Sequence, residues 1–148
     1  KARDRVEVQT ALDGMVKQNR LTRPGETIHF AAVERETEQL IGQISLRWTD
    51  ATAAQAEPRF IFNPDFRRKG YATEAAKESL RIGFEEHGIA EIYSFTTQTN
   101  APSEAVMKRI GMKRRDDLDF DHPNTPGWWG EPHIVYSIDR STWDEYGC

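Results

Sequence analysis

Cysteine is almost absent from this sequence, since the only one, Cys148, is the last of 148 residues. A disulfide within the chain is therefore excluded, and a metal site built on several thiolates is not expected. A buried catalytic thiol is not expected either, because a chain terminus usually frays. This cysteine usage is typical of a reducing compartment, and the cytoplasm is the expected location.

Long apolar runs are also missing. No stretch approaches the roughly 20 apolar residues that a helix needs to cross a bilayer, and no apolar segment follows the charged residues 1–5, so neither a membrane span nor a secretory signal is expected. The net charge is −4, which argues against nucleic acid as a partner. The histidines show no ligand spacing, and no metal is expected.

The composition that is present, 37% hydrophobic and 30% charged residues, is typical of a globular domain. The length fits one domain, 1–148. Hydrophobic periodicity predicts alternating strands and helices. The predicted strands are 27–35, 40–49, 57–62, 91–97, 112–120 and 133–139, and the predicted helices are 3–19, 72–87 and 102–110, the last two ending before Gly88 and Gly111.

This order of elements predicts an α/β fold with a mixed, mostly antiparallel sheet and helices on its faces. Strands 57–62 and 91–97 flank a helix and should form a right-handed parallel crossover. A cleft is expected near residue 62, where the order changes from antiparallel to parallel. Pro58 lacks a backbone donor, so an irregularity is expected in its strand.

The segment 67–72, Arg-Arg-Lys-Gly-Tyr-Ala, lies between a predicted strand and a predicted helix. Such a junction presents unpaired backbone N–H groups and the positive end of a helix dipole. Gly70 allows close approach of a ligand, and Ala72 keeps the next position small. Together with three cations this indicates a pyrophosphate site, although a glycine turn with a solvated basic run fits the same residues. Neither a mononucleotide P-loop nor a G-x-G-x-x-G fingerprint is present.

The pattern Arg67-x-x-Gly70-x-Ala72 resembles the Q/R-x-x-G-x-G/A loop of the GNAT acetyltransferase superfamily. The surrounding string NPDFRRKGYATEAAKESLRIGFEEHG is similar to its RimJ/RimL-like branch. Residues 100–112 resemble that branch's second motif, N-x-x-S-x-x-V-x4-G-F/M. With matches up to Trp143, the resemblance covers about residues 27–143. It implies a GNAT-like, acetyl-CoA-binding domain that lacks the first strand and helix with which members usually begin.

The resemblance also implies how acetyl-CoA would be held. Main chain near Phe62 and Asn63 would pair with the pantetheine arm, which Asn100 would also contact. Ser103 would lie near the thiol of the cofactor. The residues implied in pyrophosphate binding are Arg67, Arg68, Lys69, Gly70, Tyr71, Ala72 and Thr73.

Direct attack of a substrate amine on the thioester is the implied reaction. Ser103 is a candidate acid for the leaving thiolate, or a helix-start residue whose hydroxyl binds backbone. Many members place a tyrosine in this helix, where the matching residue here is Met107. Glu57 is the first candidate for the general base, with a solvated strand-end carboxylate as the alternative. The loop residues Asp121 and His122 are second candidates.

The expected acceptor is a primary amine, either a protein N-terminus or a small molecule. An alternative function is a non-catalytic acyl-CoA-binding regulatory module. The pair Trp128-Trp129, in a loop rich in glycine and proline, has three interpretations: a loop folded over the core edge, an aromatic wall for the acceptor, or a contact in a homodimer.

Overall fold

A computed structural model describes residues 20–50, 55–66, 68–121 and 132–146. For residues 55–62 it describes the backbone path. The helix predicted at 3–19, as well as Arg67, His122 and the Trp128-Trp129 pair, lies outside these residues.

Within the described residues the chain forms one mixed sheet with helices. The strands are β1 (Thr27–Val33), β2 (Leu40–Trp48), β3 (Gln55–Phe62), β4 (Glu91–Thr97), β5 (Lys113–Arg114), β6 (Phe120–Asp121) and β7 (Pro132–Asp139). The helices are α1 (Tyr71–Arg81), α2 (Ala101–Arg109) and α3 (Arg140–Tyr146). A π-helical turn, Ile82–Glu86, continues α1, and short 3-10 turns lie at Pro64–Phe66 and Asp116–Leu118.

The sheet order is β1-β2-β3-β4-β7-β5, and β6 also pairs with β7. β3 and β4 are parallel, while the other pairs are antiparallel. The predicted parallel crossover through a helix is therefore confirmed. It brings the carboxyl ends of β3 and β4 to the same edge of the sheet, where the helices α1 and α2 begin.

The parallel pair β3–β4 is short. Among the described residues, only Gln55–Glu91 and Ala56–Ile92 are matched in register, although both strands run on for several residues. β3 keeps its pairing with β2 through Phe62, and β4 keeps its pairing with β7 through Thr97. The two strands therefore diverge beyond residue 56, and a gap opens between them in the middle of the sheet.

The core lies between one face of the sheet and the helices. Ala76, Leu80 and Phe84, which are spaced four residues apart, are fully buried. They form one cluster with apolar side chains of β1, β2, β4, β7, α2 and α3. This packing holds α1 across the strands. Gly88 and Gly111, at the predicted helix ends, both have positive φ.

The structure corrects two expectations and adds one helix. The strand predicted at 112–120 is wrong, because the acidic Asp116–Leu118 turn interrupts it and leaves β5 and β6 as two-residue strands. The irregularity expected at Pro58 is absent from the β2–β3 register. α3 was not predicted; its start is stabilised by Asp139, whose carboxylate accepts the N–H of Thr142 at 2.7 Å.

Among the described helices, none has both the length and the apolar character required to cross a membrane.

Candidate active site

The gap between β3 and β4 ends at Asn63, the residue that follows β3. Its N–H donates to the carbonyl of Ile41 at 2.8 Å, and its carbonyl accepts the N–H of Phe66 at 3.0 Å. Its side-chain Oδ1 accepts the N–H of Asp65 at 3.1 Å. These bonds stop the strand and turn the chain toward α1. The N–H of Asn63 is thus already occupied and is not available to pair with a pantetheine arm.

The backbone of Phe62 faces the gap. In an antiparallel pair, residues that exchange bonds with the partner strand alternate with residues whose N–H and C=O point away from it. Because Asn63 bonds to β2, the N–H and C=O of Phe62 point toward β4, which has already diverged. The same alternation places the nitrogen of Pro58 on the side away from β2, which explains why the ladder continues through it without a shift.

The basic segment between β3 and α1 adopts left-handed backbone at two positions. Arg68 has φ 63°, which is uncommon for a residue with a Cβ, and Gly70 has φ 82°. Backbone that alternates between left- and right-handed conformations forms a concave nest of N–H groups. Strained backbone of this kind concentrates at ligand sites, and here it lies at the sequence position predicted to bind a pyrophosphate.

The start of α1 has room and donors for a diphosphate. Its first helical hydrogen bond runs from the N–H of Glu74 to the carbonyl of Gly70 at 3.0 Å, so the N–H groups of residues 71–73 have no partner within the helix. None of the described side chains caps this end. A Cβ built on Gly70 would meet no atom within 4 Å. Open space, helix-end donors and a positive dipole together fit a pyrophosphate.

The neighbours of Gly70 are held by specific contacts. Lys69 lies with its Nζ 5.1 Å from the ring centroid of Phe66, a cation–π contact that keeps the ammonium beside the turn. The hydroxyl of Tyr71 donates to Oε1 of Glu34, in the turn between β1 and β2. That hydrogen bond raises the pKa of Tyr71. Ala72 packs against the core, and Thr73 is half-buried.

A second helix begins at the same edge, after β4. Asn100 is its N-cap residue, and its Oδ1 accepts the N–H of Ser103 at 3.3 Å. Ser103 is half-buried in the first turn of α2. Both residues predicted to contact the cofactor arm therefore lie at the helix start that follows the strand bordering the gap. The partial positive charge of this second helix end favours a thiolate there.

Met107 is a core residue, only 1% exposed. It has no proton to give, so the position where many relatives carry a tyrosine cannot supply an acid. A buried phenol lies elsewhere beneath α2: Tyr136 of β7 donates its hydroxyl to Oε1 of Glu104 at 2.7 Å. Burial raises the pKa of Tyr136. Lys108 binds the same carboxylate at 2.8 Å, so this hydroxyl belongs to a closed network on α2.

The candidate bases are less fully described. Glu57 is the first residue of β3 beyond the last parallel pair, at the point where the two strands separate. Asp121 ends β6 and is exposed, and its neighbour His122 lies outside the described residues. No group of three potential metal ligands occurs in the described part of the chain.

Glu34 is the site residue that the sequence did not indicate. It lies 37 positions before Tyr71, in a turn with no motif of its own, and no periodicity links the two. The only local signal is a polar turn between two strands.

Comparisons with known proteins identify the family. The acetyltransferase (GNAT) domain model matches residues 1–113. The chain is 34% identical to the uncharacterized N-acetyltransferase YnaD of Bacillus subtilis over 115 residues, which cover 78% of the chain and 66% of that protein. It is 35% identical over 89 residues, 60% of the chain, to the FsC-acetyl coenzyme A-N(2)-transacetylase of Aspergillus fumigatus and spans 38% of that protein.

A solved structure supports the same assignment. The GNAT-family acetyltransferase from Bacillus anthracis superposes with a TM-score of 0.68 at 30% identity, covering 76% of this chain and 66% of the other. The chain thus spans just under two thirds of the length of YnaD and of this structure. The family model, the relatives and the fold lead to one conclusion: the chain belongs to the GNAT acetyltransferase domain family.

Proposed function

We propose that the chain binds acetyl-CoA and transfers the acetyl group directly to a primary amine. The observation that carries the proposal is the left-handed backbone at Arg68 and Gly70, which lies between the end of β3 and the uncapped start of α1. A nest, a helix dipole and adjacent cations at one point form a site for a diphosphate. The neighbouring gap between β3 and β4 is open to an extended arm.

The roles in binding follow from these positions. Backbone N–H groups of residues 68–73 would hold the pyrophosphate, and the side chains of Arg67, Arg68 and Lys69 would add charge. The backbone of Phe62 would pair with the pantetheine arm in the manner of an added strand. Asn100 and Ser103 would border the far end of that arm, at the start of α2.

The proposed catalytic roles follow from where Glu57, Phe62 and Ser103 lie along the gap. Acetyl-CoA, when bound, supplies an acetyl thioester that an amine can attack. Glu57, where the strands separate, would accept the proton that the amine releases, directly or through a water molecule. The N–H of Phe62 would polarise the thioester carbonyl. Ser103 would donate its hydroxyl proton toward the departing sulfur.

The acceptor is proposed as a class, a protein N-terminus or a small primary amine. The motif strings at residues 63–88 and 100–112 place the chain, in our proposal, in the RimJ/RimL-like branch, which favours a peptide. The name of the Aspergillus relative, an N(2)-transacetylase, favours a small molecule.

The test is a thiol-release assay with acetyl-CoA and two sets of acceptors, short peptides with free N-termini and small polyamines or amino acids. Release of CoA that depends on one set is the expected result and identifies the class. Calorimetry with acetyl-CoA alone measures binding separately. Absence of measurable heat at millimolar acetyl-CoA would overturn the proposal.

A second candidate function is a non-catalytic acyl-CoA-binding module. One observation favours it: the position of the usual tyrosine is a buried methionine, Met107. Binding of acetyl-CoA without CoA release over the whole acceptor panel would support this alternative against catalysis.

A further inference from the structure

The turn between β1 and β2 contacts the start of α1 through the carboxylate of Glu34. Glu34 closes this turn: its N–H donates to the carbonyl of Gln39 at 2.9 Å, and its carbonyl accepts the N–H of Glu38 at 2.9 Å. The left-handed backbone at Glu38, φ 56°, completes the tight reversal. The backbone of Glu34 is therefore fixed before its side chain makes any contact.

The side chain of Glu34 is held at both oxygens. Oε2 accepts the hydroxyl of Thr37 at 2.5 Å, and Oε1 accepts the hydroxyl of Tyr71. These two hydrogen bonds lower the pKa of Glu34, so its side chain accepts both hydroxyl groups as a charged carboxylate at neutral pH. A charged acceptor fixed in this way makes a stronger bond than a neutral one.

Tyr71 is the first residue of α1 and follows Gly70 directly. Since the glycine offers little resistance to rotation, the path of residues 68–70 alone leaves the direction of the first helical turn free. We infer that Glu34 is a positioning residue for the cofactor loop: by holding Tyr71 it fixes the orientation of the N–H groups at residues 71–73. This inference rests on the proposed acetyl-CoA function.

If Glu34 acted only through its charge, its removal would be expected to change acetyl-CoA binding in the opposite direction from the loss of a positioning residue. Glu34 and Glu36 line a cavity of about 510 Å³ between the β1–β2 turn and α1, together with Tyr71, Glu74 and Glu78. A carboxylate beside a diphosphate repels it, so removal of a purely electrostatic neighbour should tighten acetyl-CoA binding. A positioning residue should weaken binding when its hydrogen bond is lost. The sign of the change in Kd therefore separates the two roles.

The experiment compares Glu34→Gln, Tyr71→Phe, the double variant and Glu36→Gln by calorimetry with acetyl-CoA. Glu36→Gln is the matched control, because it removes the same charge from the same turn and leaves the hydrogen bond between Tyr71 and Glu34 in place. We expect the Kd to rise about tenfold in Tyr71→Phe, which removes the donor, and by a smaller factor in Glu34→Gln, whose amide oxygen still accepts the hydroxyl but lacks the charge. The double variant should be no weaker than Tyr71→Phe, and kcat should change less than KM.

Different results would contradict the proposed function and the positioning role of Glu34. No binding by the parent chain would end the proposed function, whereas binding by Glu34→Gln as tight as by Glu36→Gln would overturn the positioning role alone. Additive losses in the double variant would also overturn it, because coupling through one bond requires non-additivity. Thermal unfolding of each variant identifies a general loss of structure, and Tyr71→Phe, which keeps the ring, provides the second measurement if Glu34→Gln fails to fold.

Discussion

The side chain of Asn100 accepts the backbone N–H of Ser103 at 3.3 Å and so caps α2. Asn100, for which the sequence motif predicted cofactor contact, is a helix cap in the structure. A residue that performs both roles needs its carbonyl oxygen for the cap and its amide NH2 for a ligand. The two roles can therefore be separated by substitutions that keep one group and remove the other.

Asn100→Ala should lower the free energy of unfolding by about 1 kcal/mol, because the cap is lost. Asn100→Asp keeps an acceptor for Ser103 and should leave stability nearly unchanged. If the amide also contacts the pantetheine arm, the Asp variant should bind acetyl-CoA more weakly than the parent. Urea unfolding and calorimetry measure the two effects, and unchanged affinity in both variants would limit Asn100 to its structural role.

Gly70→Ala should cost about 1 kcal/mol of stability, since φ 82° strains any residue with a Cβ. There is open space around that Cβ, so the fold should survive. Acetyl-CoA affinity should fall, and Gly70→Glu should abolish binding by placing a carboxylate in the pyrophosphate site.

Gly88→Ala is the matched control for Gly70→Ala. Gly88 has φ 64° and likewise no atom within 4 Å of an added Cβ. It should lose a similar amount of stability and bind acetyl-CoA like the parent. If Gly70→Glu binds acetyl-CoA as tightly as Gly88→Ala does, the pyrophosphate does not bind at this loop.

Glu57→Gln should lower kcat/KM about 100-fold near pH 7 if Glu57 is the general base. The loss should shrink as the pH approaches the pKa of the acceptor, about 8 for an α-amino group, since a neutral amine needs no base. A pH–rate series measures this trend, with the exposed Glu86→Gln as a charge control. An identical profile in the Gln variant would remove Glu57 from the mechanism.

Asp119 should make the fold sensitive to acid. The guanidinium of Arg114 lowers the pKa of Asp119, and the N–H of Val135, which donates to it at 3.2 Å, acts in the same direction. Its folded-state pKa lies below the unfolded value of about 3.9, so its stabilising effect is complete above that value and is lost as the pH falls through the folded pKa.

The variant Asp119→Asn should therefore be less stable than the parent at pH 7, and the difference should narrow as the pH falls below about 4. Urea unfolding between pH 2 and 7 measures the difference. Asp116→Asn, in the same turn, removes an exposed carboxylate and should not reproduce it. A difference that stays constant with pH would contradict the assignment of the shift to Asp119.

The strands were predictable where side chains alternate strongly. The strand predicted at 91–97 matches β4 residue for residue, because it is flanked by turns and buries alternate side chains. The prediction failed at 112–120, where hydrogen bonds from Arg115 to Asp117 close a turn that has no periodic signal. α3 was missed although Asp139 is a recognisable cap, because its seven residues are too few to show a helical repeat.

The turn that we propose as the cofactor loop could be located from the sequence as the junction between a strand and a helix, because the signals of glycine and of a helix start are local. Its geometry could not be predicted: the left-handed backbone at Arg68 belongs to a residue type that rarely adopts it.

The sequence by itself determined the order of strands and helices from β1 to α2 and the position of the basic loop, since both depend on near neighbours in the chain. Only the tertiary structure decided that β3 and β4 separate after two pairs and that Glu34 meets Tyr71. Contacts between residues 37 positions apart depend on how whole elements pack, and no local pattern of residues encodes that packing.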